Sequence, residues 1–210
     1  MKEYLNLEDF KIILFGIEKR LNANKEYLCK LDSFIGDGDH GLTISRGFKN
    51  AVDIIEQGKY KSISELLIMF GNRLTSTMGG ASGIIFGILF KSMGEAVPEN
   101  KIINLEDFNK MLEAAMQKIM QFGKAAPGDK TILDSMGPAL KRTKELLVEK
   151  ISMKDALLEI VRAAEQGAIA TKDMIASRGR AKYLGERSIG YQDAGATSFY
   201  LILSAVYESI

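Results

Sequence analysis

The sequence predicts an all-α fold: eight antiparallel, up-and-down helices forming one domain over residues 1–210. Three observations point there. Apolar residues recur three and four apart almost from end to end, the stripe of a helix with one buried face. Helix-capping residues stand immediately before several of these stripes. No stretch of useful length alternates apolar and polar as a strand would.

The first helix is predicted from about Leu7 to Leu31, with Asn6 as N-cap, Glu8 and Asp9 in its first turn, and Phe10, Ile13, Leu14, Ile17 and Leu21 as its buried face. The second runs from about Leu42 to Gln57. The third starts after Ser62, with Glu65 completing a capping box, and ends near Met78. The fourth, about Ser82 to Ala96, is nearly apolar and so should be deeply buried. The fifth begins after Asn104, with Asp107 at N3, and ends near Phe122. The sixth spans about Thr131 to Glu149, the seventh begins after Ser152 with Asp155 at N3 and reaches about Ala176, and the eighth covers about Ala196 to Ser209.

Helices of similar length joined by short loops favour antiparallel neighbours. The links Gly58–Lys61, Val97–Lys101 and Lys150–Ile151 read as ordinary turns. The other connections are glycine-rich or charged, and in an up-and-down bundle they all fall at one end. That sorting marks a single rim as the active site.

Composition sets the outer limits. Lys and Arg number 28 and Asp and Glu 27, a net charge of +1, which argues against nucleic acid as a partner. The single Cys29 excludes an internal disulfide and fits a reducing cytoplasm. Met1 to Phe10 is charged and lacks the apolar core of a secretory signal. The most apolar run, Ile84 to Phe90, is too short to cross a membrane. His40 is the one histidine, so no mechanism on this chain can use two.

The richest stretch is Asp32-Ser33-Phe34-Ile35-Gly36-Asp37-Gly38-Asp39-His40-Gly41. Three neighbouring carboxylates repel unless something neutralises them. Hard oxygen ligands suit Mg²⁺ or Ca²⁺, and Gly36, Gly38 and Gly41 let the backbone turn the carboxylates towards one point. The segment also precedes a helix start, where backbone N–H groups favour an anion. Together these suggest a metal–phosphate ligand; the plainer reading is a solvated acidic turn. An EF-hand is excluded because the twelfth position from Asp32 is Thr43 and not Glu. His40 either bonds a phosphate or carboxylate or orients the loop, and the second role is favoured for its ring.

Gly79-Gly80-Ala81-Ser82-Gly83 leads into a helix and fits either backbone contact with phosphate or close helix packing. It lacks the Gly-Lys-Ser/Thr ending of a Walker A loop. In Gly123 to Thr131, Asp129 reads as a helix N-cap, and Lys130 either meets a phosphate or a partner or is a plain solvated lysine, the second being favoured. The segment Ser177 to Gly195 is long for a bundle connection, hence functional or mobile. It carries Arg178, Arg180, Lys182 and Arg187, and its interleaved Tyr183, Leu184, Ile189 and Tyr191 favour order. Such a lid could neutralise phosphoryl oxygens. Asp193-Ala194-Gly195 resembles another cap.

The four motifs in order, Leu31-Asp32 with Ile35-Gly36-Asp37-Gly38-Asp39-His40-Gly41, Gly79-Gly80-Ala81-Ser82-Gly83, Pro127-Gly128-Asp129-Lys130-Thr131, and Gly179-Arg180-Ala181 with Gly185-Glu186-Arg187-Ser188-Ile189-Gly190, resemble the L subunits of bacterial dihydroxyacetone kinases over essentially the whole chain. The resemblance implies a closed eight-helix barrel with a nucleotide at one rim. It implies that Asp32, Asp37 and Asp39 bind two Mg²⁺ ions bridging the nucleotide phosphates. His40, Gly41, Leu42, Thr43, Ala81, Ser82 and Gly123 would line the nucleotide, with Ile132 near the base. Arg180, Asp193, Ala194 and Gly195 would close the site, although many relatives carry Pro where this chain has Ala194. Arg180 would stabilise transition-state charge during in-line transfer.

Further expectations follow from the resemblance. Dihydroxyacetone would be held covalently on a histidine of a separate K subunit, and ADP would serve as a coenzyme rephosphorylated by a phosphotransferase-system M subunit. With no second sugar-binding domain on the chain, this is the type expected. The alternatives are an ATP-dependent kinase subunit for another small ketose, a nucleotide-sensing regulatory module, and a purely structural bundle.

Overall fold

The computed structural model describes residues 3–98 and 101–210. Met1 and Lys2 of the N-terminal segment, and Glu99 and Asn100 of the Val97–Lys101 turn, lie outside the described residues. The chain forms helices α1 (Leu7–Ala23), α2 (Lys25–Ile35), α3 (His40–Gln57), α4 (Ile63–Thr77), α5 (Gly80–Glu95), α6 (Leu105–Gly123), α7 (Leu133–Leu146), α8 (Met153–Ala170) and α9 (Ala194–Glu208). A 3-10 turn at Thr171–Asp173 follows α8 directly, and the lid carries 3-10 structure over Ala181–Ser188, kinked at Gly185. Among the described residues the fold is all-helical apart from a two-residue antiparallel pair, β1 (Leu5–Asn6) with β2 (Ile102–Ile103), in which Leu5 faces Ile103. So short a pair leaves no alternating pattern in the sequence.

The predicted caps hold for most starts. Asn6 accepts from the Glu8 and Asp9 amides while Asp9 accepts from the Asn6 amide, a complete capping box. Asn104 and Asp107 form the second. Ser62 accepts from the Glu65 amide, but the Glu65 carboxylate takes the Lys61 N–H and not that of Ser62, so this box is only half made.

The largest departure is the first predicted helix, which is two. At Asn24 the backbone leaves the helix (φ −100°, ψ 11°), and the Asn24 side-chain amide donates to the Arg20 carbonyl at 2.8 Å. Asn competes well for backbone partners, which makes it a good terminator and a poor interior residue. The break lets α2 pack on α3 and α9 as a separate element. The predicted sixth and seventh helices are shorter than expected, at Leu133–Leu146 and Met153–Ala170, and the eighth begins earlier, at Ala194.

Contacts run in chain order: α1 with α3, α3 with α4, α4 with α5, and so on to α8 with α9, which also packs on α1. Each helix turns its apolar stripe inwards. Phe48 of α3 meets Phe70, Phe86 and Phe90 of α4 and α5 edge-on, with centroids 5.8–6.0 Å apart. Side chains such as Leu14, Ile17, Phe48, Phe70 and Phe199 are almost fully buried, each stabilising the fold by roughly 1.5–3 kcal/mol. α5 is less enclosed than its composition suggests, since Ile84 remains exposed, whereas α9 is buried along most of its length. Among the described residues no helix is long and apolar enough to cross a membrane.

Candidate functional site

The acidic segment lies between the end of α2 and the start of α3. One carboxylate oxygen from each of Asp32, Asp37 and Asp39 lies within 4.8 Å of the others. Asp32 Oδ2 is fixed by the backbone, accepting the Asp39 and His40 amides at 3.1 and 3.3 Å. It thereby does for α3 what a cap does, since Asp39, the residue before the helix, makes no side-chain cap bond.

Gly38 has φ +76°, the left-handed conformation that makes the turn. Gly41 acts differently from the sequence expectation: a Cβ there would lie 1.9 Å from the Lys25 carbonyl oxygen, so its role is close packing of α3 on α2. The donor set suits a divalent cation. Around a hard octahedral ion, ligand oxygens stand about 3–4 Å apart, a spacing that three such acceptors reach with small side-chain rotations.

His40, the first residue of α3, bridges three helices. Nε2 lies 2.9 Å from Ser198 Oγ on α9, and Nδ1 lies 3.5 Å from Ser82 Oγ on α5. Burial lowers its pKa, against the opposing pull of Asp32 and Asp39. A neutral ring that accepts at one nitrogen and donates at the other fits two hydroxyl neighbours. In this arrangement the imidazole ties the start of α3 to α5 and α9.

The glycine-rich loop brings Ala81 and Ser82 to the same rim, with α5 starting at Gly80. The rest of the predicted set follows. Leu42 is exposed and Thr43 half-buried in the first turn of α3. Ile132 is buried just before α7, and a Cβ on Gly195 would sit 3.8 Å from its amide. Asp193 caps α9 by accepting the Ala196 amide at 2.7 Å, as the sequence suggested, and Ala194 opens the helix. Desolvation raises the Asp193 pKa to about 6, against the Ala196 hydrogen bond. Gly123, the last residue of α6, is joined to this end through Lys124, whose carbonyl accepts from Arg178.

Two residues before α7 behave unlike their expectations. Asp129 is not the cap of α7. Its carboxylate accepts the Ala126 amide and the Ser177 hydroxyl, which with Arg178 hold its pKa down. The capping carboxylate is Asp134, the second residue of α7, which accepts the Gly128 and Thr131 amides. The pattern Thr131-Ile132-Leu133-Asp134 is a capping signature that pointed there. Lys130 is not solvated but 2% exposed.

The lid is ordered, though not by all the aromatics expected to order it. Tyr191 stacks on Phe34 of α2 with ring centroids 4.9 Å apart, while Tyr183 is 78% exposed and Lys182 lies over its ring. Arg178 turns to Lys124 and Asp129. Arg180 makes the contact with the acidic segment, pairing with Asp37 Oδ2. Sequence reasoning missed Ser198, whose signal was a Thr-Ser pair one turn into an otherwise apolar helix.

Comparison with known proteins decides the family. Residues 34–208 match the family described as the DAK2 domain. The chain belongs to the DAK2 domain family. Its DAK2 relatives include the ADP-binding subunit DhaL of the PEP-dependent dihydroxyacetone kinase of Escherichia coli K12, 38% identical over 87% of each chain. The ADP-binding subunit DhaL of the PTS-dependent enzyme of Lactococcus lactis is 34% identical over 91% of this chain and 92% of that one. Human triokinase/FMN cyclase is 32% identical over 97% of this chain but only 34% of its own length. These relatives are named as kinases or kinase subunits, which are phosphotransferases. The fold matches the native dihydroxyacetone kinase of C. freundii with a TM-score of 0.75 at 24% identity, over 100% of this chain and 36% of that one. A structure of that kinase in complex with AMP-PNP and Mg²⁺ gives a TM-score of 0.72.

Proposed function

We propose that this DAK2 chain is the L subunit of a dihydroxyacetone kinase, a single cytoplasmic domain over residues 1–210. It carries a Mg²⁺-bound nucleotide and passes its phosphoryl group to dihydroxyacetone held on a separate K subunit. The observation that carries the reading is the trio of carboxylates gathered at the start of α3 with Arg180 of the lid drawn onto them. ADP is the resident coenzyme, recharged by an M subunit of the phosphotransferase system. The names of the bacterial relatives, ADP-binding subunits of PEP- and PTS-dependent kinases, support this over direct use of ATP. The consecutive helix contacts, completed by α9 on α1, support a closed eight-helix barrel in which α2 lies outside the ring.

Asp32, Asp37 and Asp39 hold two Mg²⁺ ions in this reading. When bound, the metal neutralises phosphate oxygens and so lowers the charge that transfer must overcome. The chain's own groups do the rest. The starts of α3, α5 and α9 turn the positive ends of their helix dipoles to the phosphates, at His40, Gly41, Leu42 and Thr43, at Ala81 and Ser82, and at Asp193, Ala194 and Gly195. His40 holds the first two of these helices and α9 in register through Ser82 and Ser198. Gly123 and Ile132 border the base. Arg180, exposed and on a lid, can leave Asp37 for phosphoryl oxygens as charge develops.

The test is protein purified with Mg²⁺, dialysed extensively, then denatured, with released nucleotide identified by chromatography. Stoichiometric ADP is expected. An empty site that exchanges added ATP would favour an ATP-dependent kinase instead, and no nucleotide in either condition would overturn phosphoryl transfer.

A further inference from the structure

The stem of the lid is tied to the bundle by one buried lysine. Lys130 Nζ donates to the Ser188 carbonyl at 2.5 Å and to the Met174 carbonyl at 3.2 Å. These carbonyls mark the two ends of the segment that carries Arg178 and Arg180. Ser188 Oγ closes the same stem, donating to the Gly185 carbonyl at 2.6 Å and accepting the Ala176 amide at 2.9 Å.

Lys130 is an unfavourable choice on two counts. Its backbone has φ +59°, where glycine would be relaxed and other residues are strained. The residue is 2% exposed and its ammonium is bonded to neutral carbonyls, and an apolar side chain there would avoid the desolvation. Neither replacement could bridge Met174 to Ser188.

We propose that Lys130 is a positioning residue for Arg180: its ammonium clamps the two ends of the lid stem and so holds the guanidinium over the acidic segment. The proposal rests on the reading that Arg180 acts on a Mg²⁺-bound nucleotide. Without the clamp the lid keeps its ties through Ser177 and Asp129 but opens more often.

The experiment compares the full chain with Lys130→Met, Lys130→Gly and Arg180→Ala. Lys130→Gly relieves the backbone and so guards against simple misfolding. Limited trypsinolysis, read by mass spectrometry, follows cleavage after Arg178, Arg180, Lys182 and Arg187, which needs no nucleotide. Loss of charged hydrogen bonds should raise lid cleavage about tenfold in both Lys130 variants, with the helical ellipticity at room temperature unchanged.

A fluorescent ADP analogue with Mg²⁺ should also dissociate about tenfold faster. That increase should vanish when Lys130→Met is made in the Arg180→Ala background, because both changes then remove one interaction. Lid cleavage within about twofold of wild type in both Lys130 variants would overturn the clamp. Faster cleavage with additive effects on dissociation would overturn the action through Arg180. A wild type that binds no nucleotide would sink the functional reading and leave the cleavage arm to judge the clamp alone.

Discussion

Among single residues, the three aspartates are chemically alike and structurally unequal. Asp32 accepts two backbone amides and thereby starts α3, whereas Asp37 is exposed and pairs with the Arg180 guanidinium. Asp32→Ala should therefore cost about 1 kcal/mol of stability in EDTA, the worth of a cap. Asp37→Ala should melt at the same temperature or higher, because an exposed ion pair contributes little and removing one charge relieves repulsion between neighbours. Both should lose Mg²⁺-dependent nucleotide binding in calorimetry. Undiminished binding by Asp37→Ala would end the metal assignment.

Asp193 gives the pH signature. Burial lifts its pKa from its ordinary 3.8 to about 6, so the folded chain holds this proton more tightly than the unfolded chain. The stability contributed by this group is complete below about pH 4 and lost as pH rises through 6. Asparagine keeps an N-cap acceptor without the charge. In metal-free melts Asp193→Asn should gain on wild type by on the order of 1–3 kcal/mol between pH 5 and 7.5. Parallel stability curves for the two proteins would contradict it.

Among elements, the contact of α2 with α3 sets the acidic segment. Gly41 sits where a methyl group would strike the Lys25 carbonyl and come within 2.9 Å of the Cys29 amide, both backbone atoms. Gly41→Ala should destabilise the fold by about 3 kcal/mol and weaken Mg²⁺-dependent nucleotide binding, because α3 must lift away from α2 with Asp39 and His40 on it. Urea unfolding and calorimetry on one preparation test both halves. Normal affinity in a destabilised variant would show that the glycine serves packing alone.

Across the whole molecule, what the sequence made legible was what local chemistry decides. Capping residues such as Asn6, Asn104 and Asp193 work through atoms two or three positions away, so they could be read directly. The meeting of the loops at one rim was legible because antiparallel order leaves little freedom. The Asn24 break was not, because a long apolar stripe outweighs one weak terminator until the packing of α2 is known. Nor was Lys130, whose burial depends on carbonyls 44 and 58 residues further along the chain. The acidic trio could be named from sequence, but the special position of Asp32 depended on where α3 would begin.

The contacts that make the rim join distant parts of the chain. Arg180 and Asp37 stand 143 residues apart, and His40 and Ser198 stand 158 apart. Closing such spans costs conformational entropy that no local turn supplies, and the packing of the helices meets it beforehand. A half-folded chain therefore owns its aspartates and its arginine but has no place for them to meet. A ligand that recognises the rim recognises only the finished fold, so its binding free energy is added to the stability of the chain as a whole and not to one patch.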